Sequence, residues 1–161
     1  MKTLYIIRHA KSSWEFDLQD HERPLNNRGL RDADLVGKNL KTLIKPVDKV
    51  LSSDAERAKT TAKIILDNLD LDDDIFSLES KLYDFNGHQV IEVIKSCDED
   101  VNTLMIFGHN HAFTSIANLY GSEVIDNLPT AGVVGIQFDV NNWKDISVGK
   151  TVLTIFPKEL R

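Results

Sequence analysis

Three short apolar runs, Thr3 to Ile7, Val47 to Leu51 and Thr103 to Phe107, are each followed by a stretch whose apolar residues recur at helical spacing. After the first come Leu30, Ala33, Val36, Leu40 and Leu43; after the second, Ala55, Ala58, Ala62, Ile65 and Leu69; after the third, Phe113, Ile116, Ala117 and Tyr120. A further helical set, Val90, Val93, Ile94 and Cys97, precedes the third run. Strands that are apolar throughout must be covered on both faces, and the helices between them supply that cover, so the alternation predicts an α/β fold with a largely parallel sheet. Towards the end Val134, Ile136 and Phe138 alternate with Gly135 and Gln137, and Thr151 to Phe156 is again rich in β-formers, which predicts a mixed edge.

The chain has 161 residues, 42% hydrophobic and 27% charged, which suits one domain over residues 1–161 with a full core and excludes disordered and collagen-like classes. No repeat or linker interrupts it. Cys97 is the only cysteine, so an intrachain disulfide and a cysteine-based zinc site are excluded. No apolar run reaches the ~20 residues of a membrane span, and Leu4 to Ile7 is ended by Arg8 before it could act as a signal segment. A cytoplasmic, monomeric protein without membrane attachment is the expectation.

Charge is distributed unevenly. The net charge of −6 argues against nucleic acid as a partner, yet residues 1–63 hold 13 Lys and Arg against 9 Asp and Glu, and the remainder holds 6 against 16. Five of the six arginines (Arg8, Arg23, Arg28, Arg31 and Arg57) lie in that first part, and guanidinium is the group suited to bidentate contact with phosphate oxygens.

Ligands of α/β sheets bind beyond the carboxyl ends of the strands. The three runs lead into Arg8-His9, Ser52-Ser53-Asp54-Ala55-Glu56-Arg57 and Gly108-His109-Asn110, all cationic or rich in donors. Ser53 followed by Glu56 reads as a capping box that places Arg57 in the first turn of a helix, where the dipole disfavours a cation and an anion site would favour it. The convergence of three strand ends points to a phosphate-sized anion. Two metal readings are weaker. His109 and His111 lack a nearby carboxylate or cysteine in sequence, and the acidic run Asp70, Asp72, Asp74 holds Ile75 and Lys81 where a calcium loop requires Gly and Glu.

The ordered segments Leu4 to Trp14, Arg23-Pro24-Leu25-Asn26-Asn27-Arg28-Gly29, Ser52 to Ala62 and Gly108-His109-Asn110 closely resemble the histidine phosphatase superfamily. Leu128-Pro129-Thr130-Ala131 and Trp143 resemble its small SixA-type phosphohistidine phosphatases. The resemblance implies a three-layer α/β/α fold like that of the phosphoglycerate mutases. It also implies that His9 is a nucleophile forming a phosphohistidine intermediate, that Arg8, Arg57 and His109 hold the phosphoryl oxygens with Arg23 as a further contact, and that neither metal nor cofactor is needed. The same run leaves Lys11, Ser12 and Ser13 without an assigned contact to phosphate. Relatives acting on sugar esters use a carboxylic acid, for which Asp84 and Asp20 are the candidates. Because imidazole is a far better leaving group than an alkoxide, an uncertain acid favours a protein phosphohistidine as substrate, borne by a phosphotransfer or phosphocarrier domain. A small phosphate ester is the alternative, and a phosphate-binding module without turnover is a third reading.

Overall fold

The computed structural model describes residues 1–161. In chain order the elements are β1 (Lys2–Arg8), α1 (Asn27–Leu40), β2 (Lys49–Ser52), α2 (Glu56–Asn68), β3 (Phe76–Leu78), α3 (His88–Lys95), β4 (Thr103–Gly108), α4 (Ala112–Tyr120), β5 (Val133–Phe138), β6 (Lys150–Ile155) and a last turn α5 (Pro157–Leu160). The sheet runs β3-β2-β4-β1-β5-β6. β1, β2, β3 and β4 are mutually parallel, whereas β5 and β6 are antiparallel, giving the mixed edge that the alternating end of the sequence predicts.

Successive residues of a strand point to opposite faces, and this divides the core into two layers. Leu4, Ile6, Leu104 and Ile106 join α3 and α4 on one face; Tyr5, Ile7, Met105 and Phe107 join α1 and α2 on the other. Because β1 and β4 carry apolar residues on both faces, they occupy the centre, and helices cover both sides. The fold is therefore the three-layer α/β/α arrangement.

Two elements differ from expectation. β3 has no counterpart among the apolar runs, since only Phe76 of its three residues is even half-buried. In α1, Leu30 is exposed, and Leu43, also exposed, lies beyond the helix end, while Gly29 and Asp32 share the buried face with Ala33, Val36 and Leu40. Gly29 lies inward because the helix start packs directly on the backbone of Lys11, leaving no room for a side chain. Asp32 lies inward because Arg161 holds its carboxylate with two bonds of 3.1 and 2.9 Å. The same packing sets α1 against the segment that follows β1. Cys97 is buried as expected but lies two residues beyond the end of α3 rather than within the helix.

Candidate active site

The parallel register aligns Arg8 with Gly108, and Ser52 with Phe107, so β1, β4 and β2 end together. The backbone continues the alignment past the strands: His9 N–H donates to Gly108 O at 3.0 Å and Ser53 N–H to Phe107 O at 3.0 Å. Arg8, His9, Ser53, Arg57 and His109 thus converge at one edge of the sheet.

His9 is buried, and its Nδ1 lies 2.7 Å from the carbonyl of Ala10. A carbonyl only accepts, so Nδ1 carries the proton and Nε2 keeps its lone pair. Burial lowers the His9 pKa from 6.5 to about 3; the Ala10 carbonyl opposes this, and Arg57, Arg8 and Arg23 reinforce it. The imidazole is neutral at physiological pH and nucleophilic at Nε2. The ring of His109 stands 5.3 Å from it, centroid to centroid. Burial, then His9, Arg57 and Arg8, lower the pKa of His109 to about 2 against the opposing charge of Asp20.

Ser53 was expected to cap α2, but the structure places Ala55 in the cap position with no side-chain bond, so the capping box does not form. Ser53 stands too far before the helix: its Oγ accepts Ala55 N–H at 3.2 Å and contacts His109 Nε2 at 2.8 Å. The other ring nitrogen of His109, Nδ1, is buried without a protein partner. Nothing in the sequence pattern marked Ser53 as the partner of a histidine 56 residues away.

Arg57 does enter in the first turn of α2, 1% exposed. Arg8 donates through one terminal nitrogen to Leu128 O at 2.8 Å. Burial and the charge of Arg57 both lower the Arg8 pKa, a sign of two cations held close together. Arg8 Nε and Arg57 Nε are buried donors without a partner in the protein, and His109 Nδ1 is a buried ring nitrogen likewise unpartnered. Arg23 is buried beside them. It donates to Ser12 Oγ at 2.8 Å and Ser13 O at 3.2 Å, and its guanidinium lies under the Trp14 ring at 3.5 Å. Of the run Lys11-Ser12-Ser13, then, Ser12 and Ser13 hold Arg23 in place and Lys11 is exposed.

The two candidate acids have separate fates. Asp84 is buried, and its carboxylate accepts the backbone N–H groups of Asn86, Gly87, Gln89 and Val90 at 3.0 to 3.2 Å. Its place is the start of α3, where its oxygens satisfy free helix amides. Asp20 does reach the site. Its Oδ2 accepts from Arg57 at 2.9 Å and from the Tyr83 hydroxyl at 2.6 Å, and its Oδ1 accepts from Arg23 Nε at 3.2 Å. Burial alone would raise the Asp20 pKa, but Tyr83, Arg57 and Arg23 bring it down to about 2, so it is an anion bridging two arginines. Tyr83, which no sequence feature singled out, packs edge-on against His109 at 5.2 Å as well.

His109 is fully buried and His111 exposed, so the two do not share a site, and no three His, Cys, Asp or Glu side chains converge to hold a metal. Likewise no helix is long and apolar enough to cross a membrane.

A parallel-centred α/β/α sheet whose strand ends gather a neutral histidine, a second imidazole and three arginines defines an anion-handling histidine site. The chain belongs to the histidine phosphatase superfamily (branch 1), whose model matches residues 4–105. An uncharacterized protein of Mycobacterium tuberculosis is 31% identical over 160 residues, covering 93% of this chain and 98% of its own. The fold is that of the protein histidine phosphatase SixA complexed with tungstate (TM-score 0.82, 21% identity, 99% of both chains covered). It is also that of a phosphoserine phosphatase from Entamoeba histolytica in complex with 3-phosphoglyceric acid (TM-score 0.67, 17% identity, 100% of both chains).

Proposed function

We propose that this chain is a phosphatase that removes phosphate from protein phosphohistidine through a phosphorylated His9. In the first step His9 Nε2 attacks phosphorus in line while the P–N bond to the substrate ring, protonated on its other nitrogen, breaks; that ring leaves as neutral imidazole, and phosphorylated His9 keeps its Nδ1 proton. Arg8, Arg57 and Arg23 neutralise the equatorial oxygens, and His109 donates through Nδ1; this charge stabilisation is the main catalytic requirement of phosphoryl transfer. In the second step water attacks phosphorus, the bond to His9 breaks, and inorganic phosphate forms as His9 returns to its neutral state.

The observation that carries the choice of substrate is the condition of the two carboxylates. Asp84 is fully engaged at the start of α3, and Asp20 is held ionised by Arg57, Arg23 and Tyr83. An alkoxide leaving group requires a protonated acid; an imidazole, with a conjugate-acid pKa of about 6.5, does not.

Phosphate release in the presence of a chelator, from a phosphohistidine protein and from a panel of sugar phosphates, tests the proposal. The expected result is preference for the protein and loss of turnover in His9→Ala. Arg8→Ala and Arg57→Ala should each slow turnover by roughly 10²–10³. Preference for a sugar ester would move the function to metabolite hydrolysis and give Asp20 the acid role, and normal turnover by His9→Ala would end the mechanism.

A further inference from the structure

Residues 14–19, Trp-Glu-Phe-Asp-Leu-Gln, form a loop between two anchored points of the site. At one end Ser13 donates its N–H to Pro24 O and accepts from Arg23. At the other, Asp20 is bound to Arg57 and Tyr83. Every residue between is exposed, and the three large apolar ones are exposed to an unusual degree: Trp14 75%, Phe16 54% and Leu18 44%. A loop of this kind is ordinarily polar, and apolar groups that gain nothing from the protein's own core need another surface to cover them. Phe85, 45% exposed and 5.0 Å from the His109 ring, extends the apolar border on the segment that carries Tyr83.

The charges of the loop indicate what covers it. Between Ser12 and Glu22 there are four carboxylates, Glu15, Asp17, Asp20 and Glu22, and no lysine or arginine. Asp20 is neutralised by the site arginines, whereas Glu15 and Asp17 have no ion-pair partner. A free phosphate ester gains nothing from such a border, which offers its hydroxyls no buried donor and opposes its charge. A protein surface whose phosphohistidine is surrounded by apolar side chains and flanked by Lys or Arg complements it on both counts.

We infer that the loop of residues 14–19 is a docking element for the substrate protein, and that it selects phosphohistidines set among apolar and basic residues. This rests on the proposed activity and adds the sequence context of the substrate. Trp14 stacks on Arg23 and has a second role in holding that guanidinium, whereas the exposed Phe16 and Leu18 are assigned to docking alone.

Three probes test this: free phosphohistidine, a phosphohistidine peptide flanked by Leu, Phe and Lys, and a matched peptide flanked by Ser and Glu. The wild type should have a kcat/KM at least about tenfold higher on the apolar, basic peptide than on its acidic counterpart. Phe16→Ser/Leu18→Ser should reduce that preference severalfold through KM, the charge contribution of Glu15 and Asp17 remaining, and leave turnover of free phosphohistidine unchanged. Glu15→Lys/Asp17→Lys should shift the preference towards the acidic peptide. Equal rates on both peptides in the wild type, or equal losses on all three probes in the double serine variant, would overturn the docking role while leaving the phosphatase reading intact. A dimer in sedimentation that the double serine variant dissociates, with peptide preference unchanged, would assign the loop to a second copy of the chain and also overturn it. Turnover of sugar phosphates with none of the three probes would instead mark failure of the proposed activity itself.

Discussion

The two nitrogens of His9 are made unequal by one backbone carbonyl, and most of the proposed chemistry follows from that. Ala10 O holds the proton on Nδ1, and burial among arginines keeps a second proton off Nε2. An ordinary histidine charges as the pH falls through 6.5; His9, lowered to about 3, remains neutral well below it. The sign for stability is the reverse of a salt-bridged histidine. Below pH 6.5 the unfolded chain binds protons that folded His9 and His109 refuse, so stability is lost as the pH falls from there towards about 3. His9 is therefore expected to stay neutral by NMR between about pH 7 and 5. A His9 titration near 6.5 would contradict the geometry. At this scale the sequence was most legible: Arg8, His9, Arg57 and His109 stand directly after or close behind apolar runs, and strand ends are where ligands bind. Ser53 and Tyr83 were not legible, because what matters for each is a partner distant in the chain, and no local pattern encodes that.

Among elements, α3 and the Leu128–Ala131 segment show how the scaffold serves the site without touching phosphate. Asp84 closes the start of α3 with four amide contacts, which fixes the segment carrying Tyr83 immediately before it. Asp84→Ala would leave those buried amides without an acceptor, at a cost of about 2–3 kcal/mol. The expected outcome is a lower denaturation midpoint with kcat on phosphohistidine unchanged below that midpoint; a kcat loss of a hundredfold without unfolding would restore Asp84 as an acid. Beside β1, Leu128 O receives Arg8, and Ala131 N–H lies within bonding distance of both Arg8 O and His9 O. Ala131 does so with φ at 60°, a left-handed backbone that a non-glycine residue adopts only when its surroundings impose it. The sequence marked these four residues by resemblance alone; their physical task became visible only when the chain placed them beside β1. The same limit explains β3 and Leu30: periodicity reports which residues are apolar, but the sheet edge and the close approach of Gly29 to Lys11 are tertiary facts.

For the whole molecule the decisive quantity is the unbalanced charge gathered at one sheet edge. Arg23 and Arg57 share one carboxylate, that of Asp20, Arg8 pairs with none, and the buried Nε–H groups of Arg8 and Arg57 have no partner. The fold therefore carries a local repulsion that a phosphate-sized anion relieves, and an anion that binds only the folded state raises its stability by mass action. At about 100 times its dissociation constant such a ligand contributes roughly 2.7 kcal/mol, which in a domain of this size is about 5–10 °C in Tm. Inorganic phosphate or tungstate should produce a shift of that order in calorimetry of the wild type. In Arg57→Ala the shift should fall to a small fraction of it, although that variant still folds around the same two core layers. Sulfate and chloride at equal ionic strength provide the control: if chloride stabilises as strongly as phosphate, screening of the arginines rather than a built oxyanion site is responsible, and the edge of the sheet loses its claim to hold a phosphoryl group.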